Sequence, residues 1–262
     1  MSAIILRDEI VHYEVLGRGR PLIFLHGWVG SWRYWIPTMQ AASTSFRTYA
    51  LDMWGFGDTA KNRDRYSIES QIRLLDDFLR EMGIGKIALI GHGLGAVVGL
   101  SYARRNPHLV DRLIAVSMPD GRQSINSRMW DASPEELAGW LLNRTPDGDA
   151  ARVEAPKADR QAIQCSLDEI LQAGLGRLPW KLTTSCLLVY GQNDPAVTIA
   201  PATGENTLPP HMHQVLFEAS GHFPMLDEAS KFNRLMADFL ALASGVSPQQ
   251  LQLKEEWKRR VR

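Results

Sequence analysis

A short glycine motif lies where a protein could hold a reactive side chain. Residues 91–95 read Gly-His-Gly-Leu-Gly, preceded by a strand-like run, Lys86–Ile90, and followed by a helix-like run, Ala96–Ala103. A strand, a tight turn and a helix in this order are typical of a nucleophile elbow, G-x-S-x-G, in which the central serine attacks a carbonyl carbon. The central residue here is Gly93, which has no side chain and therefore offers no nucleophile.

Polar or glycine-containing motifs follow four other apolar runs of the chain. In an open parallel sheet, ligands bind outside the carboxyl ends of the strands, so motifs at strand ends predict the residues of a site. Among them are Asp194 and His222, whose side chains are of types that can accept and return protons. The four motifs are His26–Trp28, Asp52–Asp58, Gly191–Pro195 and Ser220–Pro224.

The elements that must position these motifs alternate along the chain. Short apolar runs predict strands and runs with helical spacing predict helices, so the pattern favours a mostly parallel sheet with helices on both faces. The predicted strands are Ala3–Leu6, Ile10–Leu16, Leu22–Leu25, Thr48–Leu51, Ile87–Ile90, Leu113–Val116, Leu187–Tyr190 and Val215–Phe217. The predicted helices are residues 68–82, between an N-cap at Ser67 and a stop at Gly83, with Leu94–Arg105 and Ala229–Ala243.

The alternation breaks between Pro119 and Thr183. This stretch combines helical pieces with polar breaks, so it predicts a helical insertion over residues 120–182 rather than further strands. The last residues, 249–262, permit a helix and are basic at their end, and we interpret them as a C-terminal helical tail.

Taken together, the strand-end motifs resemble those of the α/β-hydrolase superfamily over nearly the whole chain. That family places its catalytic residues in the order Ser, then Asp or Glu, then His, and this chain has Gly93, Asp194 and His222 in that order. The resemblance implies a single α/β-hydrolase domain over residues 1–262, with a mostly parallel central sheet and the insertion as a helical cap.

The resemblance also implies roles for the two ionisable residues. His222 would be the general base, and Asp194 would accept its other ring N–H, fix its tautomer and stabilise the imidazolium. Asp120, just past the strand that ends at Val116, is a competing acid, because some family members place the acid there. A hydrogen-bonded loop histidine at 222 and a turn aspartate at 194 are the structural alternatives.

Two backbone groups would complete the site. The N–H groups of Trp28 and Leu94 would form an oxyanion hole, which does not depend on a side chain at position 93. The side chains of Trp28, Trp130 and Trp140 could line an apolar pocket between the cap and the sheet. A small, mostly apolar ester, amide or carbonyl compound is the expected substrate or ligand.

Other histidines have simpler interpretations. His26 precedes a glycine turn and His92 flanks the elbow, so we expect both to make structural hydrogen bonds. His211 and His213 form an H-x-H pair without a third ligand nearby in the sequence, so we predict no metal site and no cofactor.

Composition limits the partners that the chain could have. Lysine plus arginine equals aspartate plus glutamate, 29 each, so no overall field favours nucleic acid. No apolar run approaches the roughly 20 residues that span a bilayer, so we expect no membrane partner. Two cysteines do not make a disulfide framework and no signal peptide is visible at Met1–Arg7, which favours the cytoplasm. The oligomeric state stays open.

Glycine at the elbow centre has three interpretations. It relieves on the order of 1–3 kcal/mol of backbone strain, whereas loss of the serine from a complete triad costs about a millionfold in turnover. The residue could be an engineered replacement in an inactive hydrolase. It could be natural, either in a non-catalytic ligand-binding protein or in an enzyme that uses the Asp194–His222 dyad alone.

A dinucleotide-binding protein is a remote alternative. Gly91-x-Gly93-x-x-Ala96 after a strand and before a helix also satisfies the fingerprint G-x-G-x-x-G/A, with Asp120 as the ribose-binding acid. That fingerprint normally follows the first strand of a sheet, and it leaves Asp194 and His222 unexplained.

Overall fold

Eight strands form one sheet in the computed structural model, which describes residues 2–173, 182–199, 208–243 and 246–251. They lie in the order β1-β2-β4-β3-β5-β6-β7-β8, with β1 and β2 as an antiparallel hairpin, β2 antiparallel to β4, and all other neighbours parallel. The strands are β1 (Ser2–Leu6), β2 (Glu9–Gly17), β3 (Arg20–Leu25), β4 (Phe46–Leu51), β5 (Ile87–His92), β6 (Val110–Val116), β7 (Ser185–Gly191) and β8 (Met212–Phe217). The predicted mostly parallel sheet is confirmed.

The central strands are apolar on both faces because helices cover the sheet. All six residues of β5 are buried, and the last four of β3 are buried. The described helices are α1 (Ile36–Ala42), α2 (Ile68–Glu81), α3 (Leu94–Arg105), α4 (Arg128–Asp131), α5 (Pro134–Leu141), α6 (Pro146–Val153), α7 (Arg160–Ala173), α8 (Pro224–Asp227) and α9 (Ala229–Ala241).

Local signals explain where several elements begin and end. The Ser67 side chain accepts a hydrogen bond from the Ser70 N–H and caps α2, and Gly83 follows that helix with a φ of 64°.

Strand β6 begins three residues before the predicted Leu113. Its Arg112 is buried despite its charge, because the guanidinium lies 5.7 Å from the centre of the Phe239 ring and donates to the Leu242 carbonyl.

Helices α4 to α7 all lie between β6 and β7, in the stretch where the sequence predicts an insertion. Several polar contacts attach this segment to the rest of the chain: Tyr66 Oη donates to Asp159 Oδ2 over 2.7 Å, and Lys157 Nζ lies 3.1 Å from Asp58 Oδ1. Its function as a cap stays a prediction, and residues 174–181 of it lie outside the described residues.

The predicted C-terminal tail lies mostly outside the described residues, which end at 251 with a single 3₁₀ turn at Pro248–Gln250. Among the helices that the structure describes, none is both long and apolar enough to cross a bilayer.

Candidate active site

The sheet brings the predicted site residues to one edge. Gly93 follows β5, Asp194 follows β7 and His222 follows β8, and these strands run parallel in the order β5-β6-β7-β8. Trp28 follows β3, which pairs with β5 in parallel. Because the carboxyl ends of parallel strands meet at the same edge, residues 28, 93, 194 and 222 all lie at that edge.

Asp194 and His222 form a buried hydrogen-bonded pair. His222 Nδ1 lies 2.8 Å from Asp194 Oδ2, and the two side chains are 2% and 1% exposed. The second carboxylate oxygen of Asp194 accepts the N–H groups of Ala196 and Val197, over 2.8 and 3.0 Å. Burial raises the pKa of Asp194, but the charge of His222 and these hydrogen bonds outweigh it, so the pKa is lowered. The aspartate is therefore ionised at neutral pH and fixes the histidine ring.

The other ring nitrogen of His222, Nε2, differs from Nδ1 in its contacts. Among the described residues, Nε2 has no hydrogen-bond partner, although the residue is only 1% exposed. With Nδ1–H donated to Asp194, Nε2 carries the lone pair of the neutral ring. A base in this state can take a proton from a bound water or from a substrate.

The glycine motif has the backbone of a nucleophile elbow. Gly93 adopts φ 51° and ψ −112°, a conformation that side chains rarely tolerate, and its N–H donates to the Val116 carbonyl over 2.9 Å. The flanking glycines are required by packing, since a Cβ on Gly91 would collide with the Gly95 carbonyl, and one on Gly95 with the Leu25 carbonyl. The turn is thus complete apart from its central side chain.

The Trp28 indole lies against the position of that absent side chain. A Cβ built on Gly93 would be 3.0 Å from Trp28 Cε3 and Cζ3. The indole is 1% exposed, and its Nε1–H donates over 3.0 Å to the Oγ of Ser166 on α7. Trp28 therefore connects the elbow directly with the inserted helices.

The N–H groups predicted for the oxyanion hole lack partners within the described part of the chain. Neither Trp28 N–H nor Leu94 N–H donates a hydrogen bond there, and both residues are buried. Leu94 is the first residue of α3, where the N–H groups have no intrahelical acceptor and the helix dipole favours negative charge. Their function as oxyanion donors stays a prediction.

The remaining predicted residues, Asp120, Trp130 and Trp140, contact residues other than Asp194 and His222. The Asp120 N–H donates to Ser124 Oγ, and the carboxylate that pairs with His222 is that of Asp194 rather than that of Asp120. Trp130 Nε1 donates to Asp168 Oδ1 over 3.0 Å. The other predicted pocket tryptophan, at position 140, lies beneath the Arg128 guanidinium at 4.8 Å. Neither tryptophan makes a hydrogen bond or ring contact to the dyad within the described residues, so their place in a pocket stays a prediction.

His26 makes the structural hydrogen bonds that its position predicts. Its Nδ1 lies 2.8 Å from the Gly27 carbonyl, and its Nε2 accepts the Met53 N–H over 3.0 Å. Burial lowers the pKa of this imidazole, so it stays neutral and joins the loops after β3 and β4.

One polar cluster was not predicted from the sequence. Ligand-type atoms of His12, Asp52 and Asp58 lie within 4.8 Å of one another. They already have protein partners: His12 Nδ1 lies 2.9 Å from Asp52 Oδ2, which also accepts the Asp58 N–H, and Lys157 binds the Asp58 carboxylate. These hydrogen bonds and ion pairs indicate that the cluster stabilises the loop after β4.

Comparison with known proteins agrees with this geometry. The family model described as alpha/beta hydrolase fold matches residues 20–148. The chain is 27% identical over 263 residues to 2-hydroxy-6-oxo-6-(2'-aminophenyl)hexa-2,4-dienoic acid hydrolase of Metapseudomonas resinovorans, covering 90% of this chain and 89% of that protein.

Two solved structures share the fold at low identity. A putative aryl esterase from Burkholderia cenocepacia superposes with a TM-score of 0.79 at 22% identity, covering 91% of this chain and 97% of that one. A serine-to-glycine mutant of the N-acyl homoserine lactonase AidH, complexed with N-hexanoyl homoserine lactone, gives 0.79 at 17% identity, covering 94% and 99%. The sheet, the elbow and these matches agree: the chain has the α/β-hydrolase fold, and its sequence resembles that superfamily.

Proposed function

We propose that this protein acts on a small, mostly apolar ester, amide or carbonyl compound, and that the Asp194–His222 dyad does so without a covalent nucleophile. The observation that carries the proposal is the pairing of His222 Nδ1 with Asp194 Oδ2 at 2.8 Å, beside an elbow whose centre is Gly93. A dyad held in this way has the geometry of a working base, whereas the elbow centre, Gly93, has no hydroxyl group that could form an acyl-enzyme.

The chemistry begins with a water bound near His222 Nε2. The base takes one proton of this water as its oxygen attacks the carbonyl carbon, and the N–H groups of Trp28 and Leu94 stabilise the oxyanion. The tetrahedral species then collapses, and His222 returns the proton to the leaving group. Asp194 stabilises the imidazolium between the two steps. Alternatively, the same nitrogen could take a proton from the substrate itself.

The expected rates are modest. General base catalysis contributes about 10²–10⁴-fold, and an oxyanion donor about 10²–10³-fold. Removing the residues of a serine triad leaves roughly 10³–10⁴-fold over water. We therefore expect turnover well below that of a complete serine hydrolase on an activated ester.

The relatives support the substrate class. Those named above are a hydrolase of an oxo-dienoic acid, a putative aryl esterase and a lactonase, and the substrate classes in these names all contain a carbonyl group. The lactone complex of a glycine mutant indicates that this fold can bind such a ligand when a serine has been replaced by glycine.

The packing at position 93 determines how much room a serine would have there. Because Trp28 lies 3.0 Å from the Cβ position, a serine there would require the indole to move by a few tenths of an ångström. The codon at position 93 of the encoding gene tests whether glycine is the natural residue, since a serine codon would show that the glycine was introduced.

A non-catalytic ligand-binding protein is the second candidate, favoured by the absence of any side chain at Gly93. The two functions differ in what His222→Ala does. A dyad enzyme should cleave p-nitrophenyl esters of some chain length slowly and lose about 10²–10⁴-fold in rate in the variant. The control is His108→Ala, which changes an exposed histidine away from the site. Equal rates for His222→Ala and the parent would reject the dyad mechanism.

A further inference from the structure

A chain of hydrogen bonds joins the loop after β3 to the main chain of His222. The Gly27 N–H donates to Tyr34 Oη over 2.6 Å, Tyr34 Oη lies 3.0 Å from His92 Nδ1, and His92 Nε2 lies 2.9 Å from the His222 carbonyl. Tyr34 is 1% exposed and His92 is 0% exposed, so water does not compete for these groups.

The direction of every proton in this chain follows from its chemistry. The His222 carbonyl can only accept, so His92 Nε2 must carry the proton. Burial and the nearby His222 lower the pKa of His92 well below its ordinary value, so the ring is neutral and Nδ1 accepts. Burial raises the pKa of Tyr34 well above its usual value, so its hydroxyl keeps the proton that it donates to Nδ1.

A second donor holds the same carbonyl. Ser117 Oγ lies 3.0 Å from the His222 oxygen, and Ser117 is fully buried. Its φ is 45°, a left-handed conformation that is uncommon for a residue other than glycine and costs on the order of 1–3 kcal/mol. The Ser117 N–H donates to the Val189 carbonyl on β7, which keeps the residue in this conformation.

Close packing gives independent support for the same arrangement. A Cβ on Gly27 would lie 2.7 Å from His92 Nδ1, so the residue after His26 must be glycine for the imidazole to lie where it does. The His92 and His222 rings are 4.7 Å apart between centres. The His92 imidazole thus lies between the Gly27–Trp28 loop, on its Nδ1 side, and the loop that carries His222, on its Nε2 side.

We propose that Tyr34, His92 and Ser117 are positioning residues that fix the main chain of His222 and hold it in register with the Gly27–Trp28 loop. Asp194 fixes the His222 ring at Nδ1, while the two donors fix its carbonyl, so the direction of Nε2 is set from both ends. The inference rests on the proposed function only in taking His222 as the base. Its consequence is that the base and the oxyanion donor at Trp28 move together.

The experiment is side-chain NMR of ¹⁵N-histidine-labelled protein. Long-range ¹H–¹⁵N correlations identify which nitrogen of each imidazole carries a proton, and the downfield Nδ1 proton of His222 reports its bond to Asp194. We expect His92 to be the Nε2–H tautomer. In Tyr34→Phe, which keeps the ring but removes the hydroxyl, we expect the His92 Nδ1 resonance to shift and the His222 Nδ1 proton to shift or broaden.

The matched control is Tyr102→Phe, since Tyr102 is also 1% exposed and donates a hydrogen bond, to Asp76 Oδ1 at 3.3 Å on another part of the molecule. It should leave both histidine signals in place. Ser117→Ala is the second variant, and it should move the His222 signals without changing the His92 tautomer. Thermal melting confirms that each variant is folded.

Two results would overturn the proposal. One is an Nδ1–H tautomer of His92 in the parent, and the other is His222 signals that are unchanged in both Tyr34→Phe and Ser117→Ala. None of these measurements needs a substrate. A failure to find turnover would therefore reject the proposed function while leaving the positioning network to be decided by its own signals.

Discussion

Replacing Gly93 by serine tests both the strain and the chemistry of the elbow. With φ 51° and ψ −112°, a residue that has a Cβ costs about 1–3 kcal/mol in backbone strain. The Trp28 indole, 3.0 Å from the new Cβ, must also give way. For a domain of this size each kcal/mol lowers the melting temperature by about 2–4 °C, so we expect Gly93→Ser to melt roughly 2–12 °C below the parent.

The same substitution should create an esterase. In a complete triad the serine is worth up to about 10⁶ in turnover, and of the proposed base, acid, oxyanion donors and serine only the serine is missing here. We expect Gly93→Ser to cleave p-nitrophenyl esters at least about 10²-fold faster than the parent, with a burst of p-nitrophenol from acyl-enzyme formation.

Gly93→Ala separates the two effects, because alanine brings the strain and the crowding without a hydroxyl. It should lose as much stability as Gly93→Ser and gain no esterase activity, measured by calorimetry and by release of p-nitrophenol. If both variants have the same melting temperature as the parent, the strain argument is refuted. If the serine variant cleaves the ester no faster than the alanine variant, His222 does not activate a hydroxyl group at position 93.

Three further substitutions have distinct expected outcomes. The pKa of Asp194 is lowered in the folded protein, so the ionised carboxylate stabilises the fold above its unfolded pKa, about 4. This stabilisation is lost as pH falls through the folded pKa. Asp194→Asn should therefore remove that part of the pH dependence of the free energy of unfolding, measured by urea melts between pH 6 and pH 2. Ser166→Ala leaves the buried Trp28 Nε1–H unpaired and should cost about 1–3 kcal/mol, measured by urea unfolding, whereas a loss below the measurement error would argue against that hydrogen bond. Gly27→Ala places a methyl group 2.7 Å from His92 Nδ1 and should destabilise the protein by about 1–3 kcal/mol while perturbing the His92 NMR signals; unchanged signals would contradict the close approach.

The sheet could be predicted from the sequence because its information is local. Each apolar run is bounded by turn residues, and α3 has the bounds that its pattern predicts, Leu94–Arg105. Asp194 and His222 could be predicted as site residues because each directly follows a strand, and parallel strands bring their carboxyl ends to the same edge. The pairing at 2.8 Å follows from this topology.

The residues that support the dyad and Trp28 could not be predicted in this way. Tyr34 lies in a 3₁₀ turn, Trp32–Trp35, that belongs to no motif, and its partner His92 is 58 positions away. Ser166 lies 138 positions from Trp28 on a helix whose spacing predicts only a buried face. Such contacts depend on the packing of distant segments, which hydrophobic periodicity does not record.

The contact between Trp28 and Gly93 constrains the evolutionary order of substitutions at the two positions. A serine introduced beside the present indole meets both strain and crowding, so a change from glycine to serine is penalised while Trp28 remains. A smaller aromatic residue at position 28 would remove the crowding first and make the second step easier, so the two substitutions should show positive epistasis. Trp28 thus favours glycine at position 93, and a lineage that carries both residues would not readily acquire a serine nucleophile by a single change.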